Sequence, residues 1–195
     1  MNYPEFFDNI EKIIVYDDLS EFLGVNDGII DISYTDIVKM AGHSCATVAG
    51  GYLIALYGLK ELFKNEFPKR GYIKVELKKS PRDENSGVIA NILSMITGAT
   101  NELGFGGIPT GKFNRRDLLF FNSNIDSDVC FTRIDTNEKV YINYNPQKVV
   151  NPMKILMSAI KPDAKKEDII SFPQRFQEMV KNVFENSDIV IEVKK

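Results

Sequence analysis

The stretch ATVAGGYLIALYGLKELF, residues 46–63, constrains the fold of this chain more than any other. It is apolar nearly all round until Lys60, so a helix here has no face to offer water and belongs at the centre of the molecule. Its uncharged part, Ala46 to Leu59, falls short of the roughly 20 residues that a membrane span needs. Gly51, Ala55 and Gly58 recur at i, i+4 and i+7, a stripe of small residues that lets a second backbone come close. The expected partner is GVIANILSMITGAT, residues 87–100, where Ala90, Ser94 and Gly98 form a second small stripe.

The rest of the chain supplies strands and shorter helices. Asn2 to Glu11 suggests a short helix, and KIIVYDDLSEFLG continues into structure whose type the pattern leaves open. GIIDISY alternates as a strand does, and Thr35 or Asp36 is expected to cap a short helix stopped by Gly42. YIKVELK alternates apolar and charged residues, as a half-exposed strand should. Beyond a glycine-rich stretch after Thr100, DLLFF, VCFTRI and KVYINY read as strands, the last two joined through DTNEK as a hairpin. KPDAKKED reads as an exposed charged loop. Ser171 is expected as a cap, with Pro173 in the first turn of an amphipathic helix whose face is Phe172, Phe176, Met179, Val180, Val183 and Phe184. DIVIEV closes as a strand. The expectation is one α+β domain over residues 1–195: a mixed or antiparallel sheet against a pair of buried helices, with a C-terminal helix–strand extension from 150 to 195.

Charge and cysteine usage narrow the function classes. A net charge of −3 carries no basic excess for a phosphate backbone, so nucleic acid is not an expected partner. The first twenty residues carry Glu5, Asp8, Glu11, Asp17 and Asp18 but no basic segment before an apolar core, unlike a signal peptide. Two cysteines, Cys45 and Cys130, are too few for a disulfide framework. The expectation is a soluble, cytoplasmic protein with no membrane partner.

The only histidine, His43, stands two residues before Cys45, at the mouth of the apolar helix. Unpaired backbone N–H groups and the helix dipole at such a terminus favour a negative sulfur. A thiolate is both a soft metal ligand and a nucleophile, and an imidazole beside it serves as a second ligand or a general base. The alternative is a small buried cysteine with a capping histidine.

GHSC, the apolar helix behind it, and IANILSMITGAT followed by a glycine-rich turn together resemble the FmdE family, which takes its name from a component of formylmethanofuran dehydrogenase. The resemblance covers roughly residues 35–125. Members of that family typically show G-H-x-C-P opening a helix and a T-G-C-T-like motif closing a second one. His43 and Cys45 match the first motif, with Ala46 in place of the proline. Thr97, Gly98 and Thr100 match the second, with Ala99 in place of the cysteine, and Asn91 stands where many relatives have aspartate. The resemblance implies an α+β fold, a homodimer, and a His/Cys site for a transition-metal ion, zinc foremost and iron or nickel next. Three functions follow as expectations: an enzyme using a metal at His43 and Cys45 on a small molecule, a metal or cofactor carrier without turnover, or metal-free chemistry with Cys45 as nucleophile and His43 as base.

Other side chains are candidates for ligand binding. Asn91, Ser94 and Thr97 follow at three-residue steps, and either hydrogen-bond around the His43–Cys45 pocket or bond back to their own helix. GGIPTGK has the G-x-x-x-x-G-K spacing, but Phe113 follows instead of Ser or Thr, and a strand-like segment comes next. It reads as a flexible loop or lid with Thr110 and Lys112 available to an anionic ligand. Arg115 and Arg116 are placed to clamp a carboxylate or phosphate, or else to serve as ion-pair partners. Asp83 or Glu84 is a hard ligand or part of an exposed turn, and Cys130 is expected in the core.

Overall fold

The structure, a computed structural model, describes residues 2–195. Its N-terminal part is a 3₁₀ turn, Glu5–Asn9, followed by β1 (Ile13–Tyr16), α1 (Asp18–Phe22) and β2 (Ile29–Ile32). β1 and β2 pair antiparallel as a small sheet of their own. Asp17 follows β1 and caps α1, its carboxylate accepting from the N–H groups of Leu19 and Ser20. That cap is what divides KIIVYDDLSEFLG into strand and helix.

α2 (Tyr34–Ala41) starts from a capping box, the Ser33 side chain accepting from Asp36 N–H while the Asp36 carboxylate accepts from Ser33 N–H. The cap is therefore Ser33, ahead of the Thr35 or Asp36 that the sequence suggests. Gly42 closes α2 with φ 75°, a left-handed conformation that glycine takes without strain.

α3 (Ala46–Phe63) is the core helix the sequence calls for, with 14 of its 18 residues buried. It packs on α4 (Ser86–Thr97), where a Cβ added at Gly51 would come within 2.8 Å of Ile92 Cδ1. The small residues do not all serve that contact. Gly58 admits the Phe131 ring and Gly50 the Tyr144 ring, so the helix is approached closely from two sides.

The second neighbour is a five-stranded sheet in the order β4 (Leu119–Phe120), β3 (Ile73–Leu77), β5 (Val129–Arg133), β6 (Lys139–Tyr144), β7 (Ile191–Lys194). β3 pairs parallel with β4 and every other pairing is antiparallel, so the fold is α+β with a mixed sheet over buried helices. β3 buries Ile73, Val75 and Leu77 and half-exposes Lys74 and Glu76, as its alternation requires. β5 and β6 form the expected hairpin through DTNEK.

The C-terminal part differs most from expectation. α5 (Pro152–Ile160), absent from the sequence reading, begins at an Asn151 cap. α6 (Lys166–Glu185) starts ahead of Ser171, whose hydroxyl donates to the Glu167 carbonyl 2.8 Å away instead of capping, and Pro173 lies inside the helix. α6 buries Met179, Val180 and Val183. The first half of DIVIEV is the short helix α7 (Ser187–Val190), and β7 completes the sheet beside β6. Residues 150–195 thus share the sheet and the core. Among the described residues no helix is long and apolar enough to cross a membrane.

Candidate functional site

His43 and Cys45 lie in the four-residue link between α2 and α3. Gly42 turns the chain out of α2, and Cys45 is the N-cap of α3 in extended conformation (φ −150°, ψ 175°), its side chain making no cap hydrogen bond. His43 is exposed and Cys45 half-buried. The His43 Nδ1 lies 2.9 Å from the Ala41 carbonyl oxygen. A carbonyl only accepts, so Nδ1 carries the hydrogen and the neutral ring keeps its Nε2 lone pair free.

The link is held from three other elements. Tyr34 Oη and Ser44 Oγ are 2.9 Å apart, Tyr144 Oη donates to the Ala46 carbonyl at 2.6 Å, and Gln177 Nε2 donates to the Ser44 carbonyl at 3.2 Å. Gln177 Oε1 is buried without a partner among the described residues. Burial pushes both phenols well above the ordinary tyrosine range, and the nearby Cys45 pushes each further. Both therefore stay protonated at neutral pH, and Tyr144 acts there as a donor. The thiol is thus near two neutral phenols, while the imidazole is exposed.

Imidazole and thiolate are donors of the kind that zinc, iron and nickel accept. Among the described residues no group of three His, Cys, Asp or Glu side chains is placed to hold a metal. His43 and Cys45 by themselves fall short of the three or four protein ligands usual for zinc.

The other sequence candidates share no hydrogen bond with this pair. Asn91 is exposed on α4. Thr97 is buried, donates to the Leu93 carbonyl at 2.7 Å and accepts from Ala99 N–H at 3.1 Å, so its hydroxyl is spent on its own helix terminus. Thr110 and Lys112 are exposed at the tip of a loop closed by the Gly106–Asn114 bridge. Phe113 holds that loop on α1, its ring centroid 5.2 Å from that of Phe22.

Arg115 corrects the expectation of an anion clamp. Its side chain is 8% exposed, with Nη2 2.8 Å from Asp17 Oδ1 and 3.6 Å from Asp18 Oδ1. Arg70 lies 3.4 Å from the other Asp17 oxygen. The guanidinium is an internal ion-pair partner with no open face for a ligand. Its neighbour Arg116 is exposed and donates to the Gly104 carbonyl. Asp83 and Glu84 form an exposed turn, with Glu84 paired to Lys79. Cys130 is buried in β5, and burial raises its thiol pKa.

Sequence reasoning missed Tyr34, Tyr144 and Gln177. The tyrosines stand in segments read as strands, and nothing local marks Gln177. Set against known proteins, the chain matches no family model and no curated protein.

Proposed function

We propose that this is a divergent FmdE-like cytoplasmic protein that binds a transition-metal ion, zinc foremost and iron or nickel next, through His43 Nε2 and Cys45 Sγ. The observation that carries the reading is the His43 Nδ1–Ala41 bond, which leaves Nε2 free two residues before an uncapped cysteine at the start of an 18-residue helix. Backbone carbonyls fix ligating histidines in the same way. With two donors per chain, water, a small anionic ligand or a second copy in a homodimer completes the coordination. Such a site is open, suited to a metal-dependent reaction on a small molecule or to release of the metal from a carrier.

The test is elemental mass spectrometry on protein purified from metal-replete cells, together with His43→Ala and Cys45→Ala. Near-stoichiometric metal in the wild type, lost in both variants, supports the reading and identifies the ion. A wild type that is empty and takes up no zinc, iron or nickel overturns it. Cys45 would then act as a metal-free nucleophile with His43 as its base.

A further inference from the structure

A cavity of about 470 Å³ opens between the start of α4, the ends of β3 and β6, and the start of α5. That volume is in the range of small-molecule sites. Its floor is Ile54, Leu77, Ile89 and Val129, and Tyr144 lines one side. Two polar features line the same cavity.

The first is the start of α4. Asn85 makes no side-chain cap. Ser86 N–H is bonded to the Asp83 carbonyl and Ile89 N–H to the Asn85 carbonyl, while the N–H groups of Gly87 and Val88 have no acceptor among the described residues. Ser86 lines the cavity, is only 6% exposed, and its hydroxyl has no hydrogen-bond partner among the described residues. The Ser86 hydroxyl is open to the cavity and free to bond a ligand, and an uncapped helix start favours an anion. Lys79, on the same rim, is paired at 2.7 Å with Glu84, which lines the cavity as well, so the pair adds no net charge.

The second is Asp128, whose Oδ2 accepts from Tyr144 N–H at 2.9 Å while Oδ1 has no donor among the described residues. A carboxylate oxygen beside an apolar floor calls for an amine or hydroxyl on the ligand.

We propose that this cavity is a binding site for a small apolar carboxylate that also carries a hydrogen-bond donor, the chemistry of an apolar amino acid. The ligand carboxylate bonds Ser86 Oγ and the start of α4, its amine bonds Asp128 Oδ1, and its side chain lies on Ile54, Leu77 and Ile89. The site stands whether or not His43 and Cys45 hold a metal. Tyr144 links the two regions, because it lines the cavity and its hydroxyl donates to the Ala46 carbonyl.

The experiment is titration calorimetry on the full chain with L-leucine, leucinamide and 4-methylpentanoate. Leucine is expected to bind saturably. Leucinamide, without the carboxylate, and 4-methylpentanoate, without the amine, should each bind about tenfold more weakly or worse. Ser86→Ala should weaken leucine about tenfold with the melting temperature retained. Asp128→Asn keeps an acceptor for Tyr144 N–H and should narrow the preference for leucine over 4-methylpentanoate. No saturable binding of leucine up to about 10 mM overturns the proposal, since that limit is weaker than a millimolar site allows. Equal affinity for leucinamide, or leucine binding untouched by Ser86→Ala, overturns it as well.

Discussion

Replacing Arg115 by methionine separates an arginine that holds the fold from one that waits for a ligand. Methionine keeps much of the packed stem and removes the charge. The Asp17 carboxylate, 10% exposed, then loses its 2.8 Å partner. It keeps Arg70 at 3.4 Å and the N–H groups of Leu19 and Ser20 at 3.0 and 3.3 Å. Breaking a buried pair costs about 3–5 kcal/mol when the remaining charge is uncompensated. The retained partners bring the expected loss to about 2–3 kcal/mol. In a chain of this length about 1 kcal/mol moves the melting temperature by about 2–4 °C, so a drop of about 5–10 °C is expected. Urea unfolding followed by circular dichroism measures the loss directly, on Arg115→Met, Asp17→Asn and the double variant. Side chains in contact couple, so the double variant should lose less than the sum of the singles by about 1 kcal/mol. An Arg115→Met protein within about 0.5 kcal/mol of wild type, with no coupling, would refute the ion-pair role and return Arg115 to the surface as a free cation.

Gly58→Ala would place a methyl 2.5 Å from the Phe131 ring, and Phe131 is fully buried. Overpacking should outweigh the helix propensity gained, for a net loss of about 1–2 kcal/mol, and a more stable variant would contradict the packing. Ser33→Ala removes the cap of α2 and should cost about 1 kcal/mol at pH 7. The Ser33 hydroxyl holds the Asp36 carboxyl below its ordinary value of 3.8, so the folded chain binds fewer protons there than the unfolded one. That stabilisation is complete above 3.8 and vanishes as pH falls through the depressed value, so the gap between wild type and Ser33→Ala should shrink at pH 3. A gap of equal size at pH 3 and pH 7 would rule this out. Thiol titration should find one fast group in the native protein, absent in Cys45→Ala, with Cys130 reacting only after unfolding because it is buried. Two fast native thiols would place Cys130 at the surface.

Much of the fold was legible wherever a local rule acts alone. α3 follows from an apolar run too long to be a strand, its upstream limit from Gly42, and the β5–β6 hairpin from alternation across a polar turn. The C-terminal region was harder to read, for physical reasons. α5 buries none of its residues, so it shows no core-facing stripe that requires a helix, although Asn151 and Pro152 are an ordinary helix start. Pro173 is a first-turn residue by preference, yet it sits within α6, where it cannot donate to the Ile169 carbonyl. The neighbours Arg115 and Arg116 are alike in sequence. Asp17, 98 residues earlier, draws one of them into the interior and leaves the other in solvent.

The site divides along the same line. His43 and Cys45 are recognisable because two reactive side chains fall within three residues at a helix start. What holds them comes from far along the chain: Tyr34 from the start of α2, Tyr144 from the end of β6, Gln177 from the middle of α6. Each of these bonds ends on Ser44 or Ala46, the residues that alternate with the reactive pair. The hydroxyl and carbonyl of Ser44 and the carbonyl of Ala46 are all engaged, and the imidazole is tied to Ala41. The Cys45 side chain makes no cap hydrogen bond and has no hydrogen-bond partner among the described residues. The backbone on both sides of the thiol is therefore fixed by partners 10 to 133 residues away, while the sulfur keeps its capacity for a ligand. The C-terminal segment belongs to that arrangement, because without α6 the Ser44 carbonyl loses Gln177.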